Sequence, residues 1–89
     1  MKTYQYIVYG KVQGVFYRYH IHKYALAAGF DGYVRNLSNG TVEACIALNN
    51  ENKLDDFVDI LKTGSPHSRV EQIKTRVIDI KIAAGFVIK

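Results

Sequence analysis

Two stretches of helical periodicity, and only two, interrupt a chain otherwise patterned for strands. Ile21, Tyr24, Ala25 and Ala28 recur at i, i+3, i+4 and i+7, and Leu54, Phe57, Val58 and Leu61 do the same. Around them, residues 3–12 alternate and are rich in Tyr, Ile and Val, and residues 30–36 and 41–48 read as two more strands. Residues 69–82 alternate through Ile78, Ile80 and Ile82 as a fourth strand, and Phe86-Val87-Ile88 adds a short edge strand. Gly29 stops the first helix, Asn50 caps the second, and Gly64 and Pro66 end it. Asn39-Gly40 marks a hairpin, because both residues tolerate positive φ. The order is β-α-β-β-α-β. Two amphipathic helices cover only one face of a four-stranded antiparallel sheet, so the expected fold is an α+β, ferredoxin-like α/β sandwich. Its strands run 4-1-3-2, with both helices on one face and a short extra C-terminal strand. The first strand is then central, and the loop after it lies beside the end of the second strand.

At 89 residues, residues 1–89 are expected to be one domain. A chain this size buries roughly two-thirds of its unfolded surface, enough for one modest core. A single cysteine, Cys45, excludes an internal disulfide and a Cys-rich zinc site. No apolar run approaches the ~20 residues needed to span a bilayer, so no membrane partner is expected. The opening residues lack the apolar segment of a secretory signal, and a cytoplasmic location is the expectation. Twelve Lys+Arg against eight Asp+Glu leave a net charge of +4, which favours anionic partners. These basic residues are scattered, whereas a nucleic-acid footprint is denser, so no nucleic-acid partner is expected.

The chemistry concentrates in Gly10-Lys11-Val12-Gln13-Gly14-Val15-Phe16-Tyr17-Arg18. A strand runs into a glycine loop and then a helix start, a geometry that turns backbone N–H groups toward an anion. Arg18 adds a planar fork of charged donors suited to phosphate or carboxylate. A cation in a first helical turn opposes the helix dipole, and a bound anion would offset that cost. The alternative is an ordinary surface arginine. Asn36 stands three residues before Asn39, which already supplies the turn. It is either a turn residue or a free carboxamide able to hold a water molecule close to the Gly14 loop. His20 and His22 lie i, i+2 on a helix and are expected to face solvent rather than share a metal. His67 has no evident partner. Cys45 reads as a packed strand residue with nothing beside it to lower its pKa. Tyr4 and Tyr6 share a strand face with Val8, either as core or as a stacking platform for bases.

The Gly10–Arg18 segment resembles the N-terminal signature of the acylphosphatases. Gly32-Tyr33-Val34-Arg35-Asn36-Leu37-Ser38-Asn39-Gly40-Thr41-Val42 resembles their second signature. Gly64-Ser65-Pro66, Val70 and the closing Gly85-Phe86-Val87-Ile88 are similar to the family's C-terminal half, so the resemblance covers essentially the whole chain. It implies a ferredoxin-like enzyme that hydrolyses carboxyl-phosphate bonds to a carboxylate and inorganic phosphate, with no metal and no cofactor. Arg18 is then the phosphate-binding arginine. The N–H groups of Gln13, Gly14, Val15, Phe16, Tyr17 and Arg18 form the phosphate cradle, and Asn36 positions the attacking water. Two positions depart from the family pattern: Tyr17 where Phe or Met is common, and Leu48 where a glycine often stands. Tyr17 keeps its ring but has a hydroxyl to accommodate.

The partners implied are small acyl phosphates and inorganic phosphate, and the expected state is a free-standing monomer rather than a domain of a larger maturation enzyme. The rival reading is a non-catalytic RNA- or anion-binding module of the same topology. Such a module carries aromatic and basic residues on its third strand. Here that strand reads Thr41-Val42-Glu43-Ala44-Cys45-Ile46-Ala47-Leu48, with an acid and no aromatic.

Overall fold

Strand β1 (Lys2–Lys11) owes its place to its alternation. Tyr4, Tyr6 and Val8 are buried on one face, with Gln5, Ile7 and Tyr9 on the other. The structure, a computed structural model, describes residues 1–89. After β1 come α1 (Tyr17–Ala28), β2 (Asp31–Asn36), β3 (Val42–Leu48), a 3₁₀ turn (Glu51–Lys53), α2 (Leu54–Thr63), β4 (Arg69–Ile78) and β5 (Phe86–Ile88). The sheet runs β4-β1-β3-β2-β5, which is the 4-1-3-2 order extended by the C-terminal strand. β1 pairs antiparallel with β3 from Lys2↔Leu48 to Val8↔Val42, and with β4 from Thr3↔Ile78 to Lys11↔Arg69. β5 pairs parallel to β2, Gly32 opposite Phe86.

Tyr17, Ile21 and Ala25 of α1 and Phe57 and Leu61 of α2 pack on the face that carries Tyr4, Tyr6, Val8, Val34, Val42, Ala44 and Ile46. Both helices therefore lie on one side of the sheet. Phe57 is the hub, with ring centroids 5.2 Å from Tyr6, 5.1 Å from Phe30 and 6.2 Å from Phe86. Tyr4 and Tyr6 are core, so they offer no stacking surface. Neither helix is long and apolar enough to cross a membrane.

Several local expectations are corrected. α1 starts at Tyr17, four residues before the apolar stripe begins at Ile21, and Tyr17 is buried while Ala28 is exposed. No side chain caps this start, so no capping residue marks it in the sequence. Asn50 does cap, but its carboxamide accepts from Asn52 N–H of the 3₁₀ turn that leads into α2. β4 stops at Ile78, not residue 82, because its only sheet neighbour runs out at Thr3. Beyond it the Thr3 hydroxyl donates to the carbonyl of Ile80 (2.8 Å), which steers the chain off the sheet edge. Residues 79–85 then cross to the opposite edge, where Gly85 N–H donates to Asp31 Oδ1 (2.7 Å). In the β2–β3 turn only Gly40 takes positive φ (88°), while Asn39 Oδ1 accepts from Thr41 N–H (3.2 Å). This is a three-residue loop closed by a glycine rather than a two-residue hairpin.

Candidate active site

Past Lys11 the chain leaves the sheet and enters α1 through two left-handed residues, Gly14 (φ 73°) and Phe16 (φ 59°). Phe16 is the only non-glycine residue with positive φ, and the residue is 77% exposed. Backbone strain held at an exposed aromatic is not repaid by burying that side chain; such outliers gather at working sites. The loop is fastened from beneath. Val12 and Val15 are buried, and the Ser65 hydroxyl donates to the Val15 carbonyl (2.6 Å). The Phe16 carbonyl accepts from His20 N–H (3.2 Å), with His20 Nδ1 3.0 Å away. These two carbonyls are satisfied while the main-chain N–H groups of Gln13, Gly14, Val15 and Phe16 donate to nothing in the protein. The result is a loop with its donors free, continuous with the N-terminus of a 12-residue helix.

Arg18 stands in the first turn of that helix, which holds no acidic residue. No Asp or Glu side chain lies within ion-pair distance of its guanidinium. One N–H, on Nη1, donates to the main-chain oxygen of Lys89 (3.1 Å), leaving the rest of the fork free. With Gly14, Phe16, Tyr19 and Ile88, Arg18 lines an open depression of about 390 Å³.

Asn36 ends β2 on the same face as Val34, the helix side of the sheet. It is exposed, and its carboxamide has no partner in the protein. Two links bring it toward the loop. The Gln13 side chain donates to the carbonyls of Leu37 (2.8 Å) and Thr41 (2.9 Å). Arg18 reaches Lys89, whose N–H donates to the Val34 carbonyl two residues before Asn36 (2.9 Å). Asn36 does not itself line the depression around Arg18.

His20 and His22 are half-buried rather than solvent-facing, His22 beside the Phe86 ring at 6.3 Å. Cys45 is buried and donates to Tyr33 Oη (3.2 Å); desolvation pushes its thiol pKa up, the reverse of a nucleophile's. The extra hydroxyl of Tyr17 donates to the Leu61 carbonyl (2.7 Å), so it is accommodated by α2. Ser65, the Gln13 side chain and the Lys89 main chain were not foreseen as site-builders. Their partners lie 24 to 71 residues away in sequence, where no local pattern reaches.

The chain matches the acylphosphatase family over residues 4–88. It is 38% identical over 86 residues to an acylphosphatase of Vibrio parahaemolyticus, covering 97% of this chain and 94% of that one. It is 43% identical over 70 residues to one of Deinococcus radiodurans, covering 79% of each. The crystal structure of acylphosphatase from Bacillus subtilis superposes with a TM-score of 0.87 at 36% identity, covering 100% of this chain and 99% of that one. A family match over residues 4–88, a relative that aligns almost from end to end and a solved structure that superposes over the whole chain place this chain in the acylphosphatase family.

Proposed function

We propose that this protein hydrolyses the carboxyl-phosphate bond of acyl phosphates without a metal ion, with Arg18 and the loop N–H groups holding the phosphoryl oxygens and Asn36 holding the water. The observation that carries this reading is the run of unpartnered N–H groups at Gln13 to Phe16 beside an arginine with no Asp or Glu partner. A phosphoryl group supplies both the acceptors that the amides lack and an anionic partner for the N–H groups of the Arg18 fork that remain free.

Acyl phosphates place few demands on the rest of the site. The leaving group is a carboxylate, stable as an anion at neutral pH, so no general acid is required. No titratable side chain other than Arg18 and Tyr19 lines the depression. Arg18 is the cationic side chain that lines the depression, so this reading assigns charge stabilisation to the arginine and the main chain. Catalysis then consists of positioning and electrostatic stabilisation, the usual content of phosphoryl transfer. Water oxygen attacks phosphorus in line as the phosphorus–carboxylate oxygen bond breaks. The carboxylate departs with the bonding pair, and the water proton passes to a phosphoryl oxygen. Charge moving onto the equatorial oxygens strengthens their bonds to the loop amides and the Arg18 fork.

The direct test is hydrolysis of benzoyl phosphate in the presence of a chelator, with inorganic phosphate as competitor. The expected result is turnover unaffected by the chelator and competitively inhibited by phosphate. Absence of turnover both with and without divalent metal would overturn the reading. The buried positions of Tyr4 and Tyr6 and a β3 that carries no aromatic residue favour hydrolysis over base stacking.

A further inference from the structure

We propose that the Gln13 side chain is a positioning residue that locks the phosphate loop to the strand end bearing Asn36, fixing the separation between phosphorus and attacking water. This rests on the roles given to Arg18, the loop and Asn36 above. The β1–β3 ladder stops at Val8↔Val42, and from Tyr9 onward β1 pairs only with β4, on the other side. Between residues 12–16 and the hairpin tip at residues 37–41 there is no main-chain hydrogen bond. The Gln13 carboxamide makes the only hydrogen bonds across this gap. Its Nε2 donates at 2.8 Å to Leu37 and at 2.9 Å to Thr41, one carbonyl on each arm of the hairpin. Those arms are themselves tied by Leu37 N–H to the Thr41 carbonyl (2.9 Å). Leu37 follows Asn36 directly, and Thr41 precedes Val42, the register partner of Asn36.

Both Nε2 protons are spent on these carbonyls, and a flipped carboxamide would set Oε1 against two other oxygens. The Nε2 group therefore binds no anion; it ties down the neighbouring hairpin. The loop has separate anchors in Ser65 and in the start of α1. Loss of the Gln13 bonds thus leaves the anion cradle in place and frees the strand end that carries Asn36. Phosphate affinity and turnover should separate, since a displacement of about 1 Å at a reacting centre can cost up to ~100-fold in rate.

The test compares wild type, Gln13→Met (equal length, no donor), Gln13→Glu (equal shape, acceptors only), Asn36→Ala and Gln13→Met/Asn36→Ala, using benzoyl phosphate turnover and inorganic phosphate inhibition. The expected result for Gln13→Met is a fall in kcat of about 10- to 100-fold with little change in the phosphate inhibition constant. In the Asn36→Ala background the same substitution should cost almost nothing, because no water-holding group remains to be positioned. Equal costs in both backgrounds, or parallel loss of phosphate affinity and kcat, would overturn the proposal. Wild-type NMR gives a check that needs no variant to fold: the Gln13 side-chain amide protons should resist solvent exchange, and free exchange would also overturn it. A wild type that neither hydrolyses benzoyl phosphate nor binds phosphate would instead sink the proposed function, with the side-chain protection unaffected.

Discussion

Arg18 and Asn36 divide the proposed chemistry between charge and geometry, and each has its own signature. Arg18→Lys keeps the positive charge but loses the planar fork, so phosphate inhibition should weaken and most turnover should go. Asn36→Ala removes no cation, so kcat should fall while the phosphate inhibition constant holds. Steady-state kinetics with phosphate as inhibitor separates these outcomes; loss of phosphate binding with retained turnover in Asn36→Ala would reverse the assignment. Two buried tyrosines make a second pair of opposites. The Tyr6 hydroxyl is buried with no hydrogen-bond partner, whereas the Tyr17 hydroxyl donates to Leu61. Tyr6→Phe should therefore raise stability by about 1 kcal/mol and Tyr17→Phe should lower it by about 1 kcal/mol. Urea unfolding of the two variants checks the signs. Arg18 and Asn36 stood out in sequence because each breaks a local rule, a cation in a first helical turn and an asparagine beside a turn already supplied. The left-handed Phe16 sent no such signal, since its conformation is imposed by the buried valines and Ser65 that hold the loop.

At the level of elements, α2 is the wedge that makes the core continuous. Phe57 touches the rings of Tyr6, Phe30 and Phe86, so it joins β1, the α1–β2 connection and β5. Phe57→Ala should cost about 3–5 kcal/mol, read by urea titration, and Phe57→Leu distinctly less, because a smaller cavity remains. A cost near 1 kcal/mol for Phe57→Ala would show that the surrounding rings collapse onto the gap. The elements themselves were legible wherever periodicity was sustained: both helices, β1, the β2–β3 pair and even the three-residue β5. Boundaries failed where a neighbour rather than the local pattern decides them. Ile80 and Ile82 continue an apolar alternation, yet β1 ends at Lys2 and offers no partner there, so tertiary context overrides the pattern. The start of α1 was missed for the opposite reason, because it has no capping side chain to read.

Taken as a whole, the molecule is built around neutral, buried hydroxyl and thiol groups, and this sets its response to base. Desolvation is the largest cause in every case. It pushes Tyr6 up to about 12 and holds Tyr4, Tyr17, Tyr33 and Cys45 above their ordinary values. A raised acid pKa means the native chain keeps a proton that the unfolded chain has released. The stabilisation is then complete below the unfolded values, 9.0 for the thiol and 10.0 for tyrosine, and is lost as pH rises through them toward the native values. The urea midpoint should hold up to about pH 9 and decline above it. Ionisation of Tyr6, Tyr17 and Tyr33, followed by tyrosinate absorbance, should coincide with unfolding; smooth titration in a folded chain would contradict this. β5 carries a further consequence, one of timing. It pairs with β2 more than fifty residues earlier in the chain, and its end brings the Lys89 main chain to Arg18 across a separation of 71 residues. Closing loops of that length is slow compared with forming a helix or a hairpin. The loop, Arg18 and Asn36 all precede residue 40, yet they have their final surroundings only when the last strand docks. Recovered activity therefore marks the finish of refolding, later than the signals of helix formation.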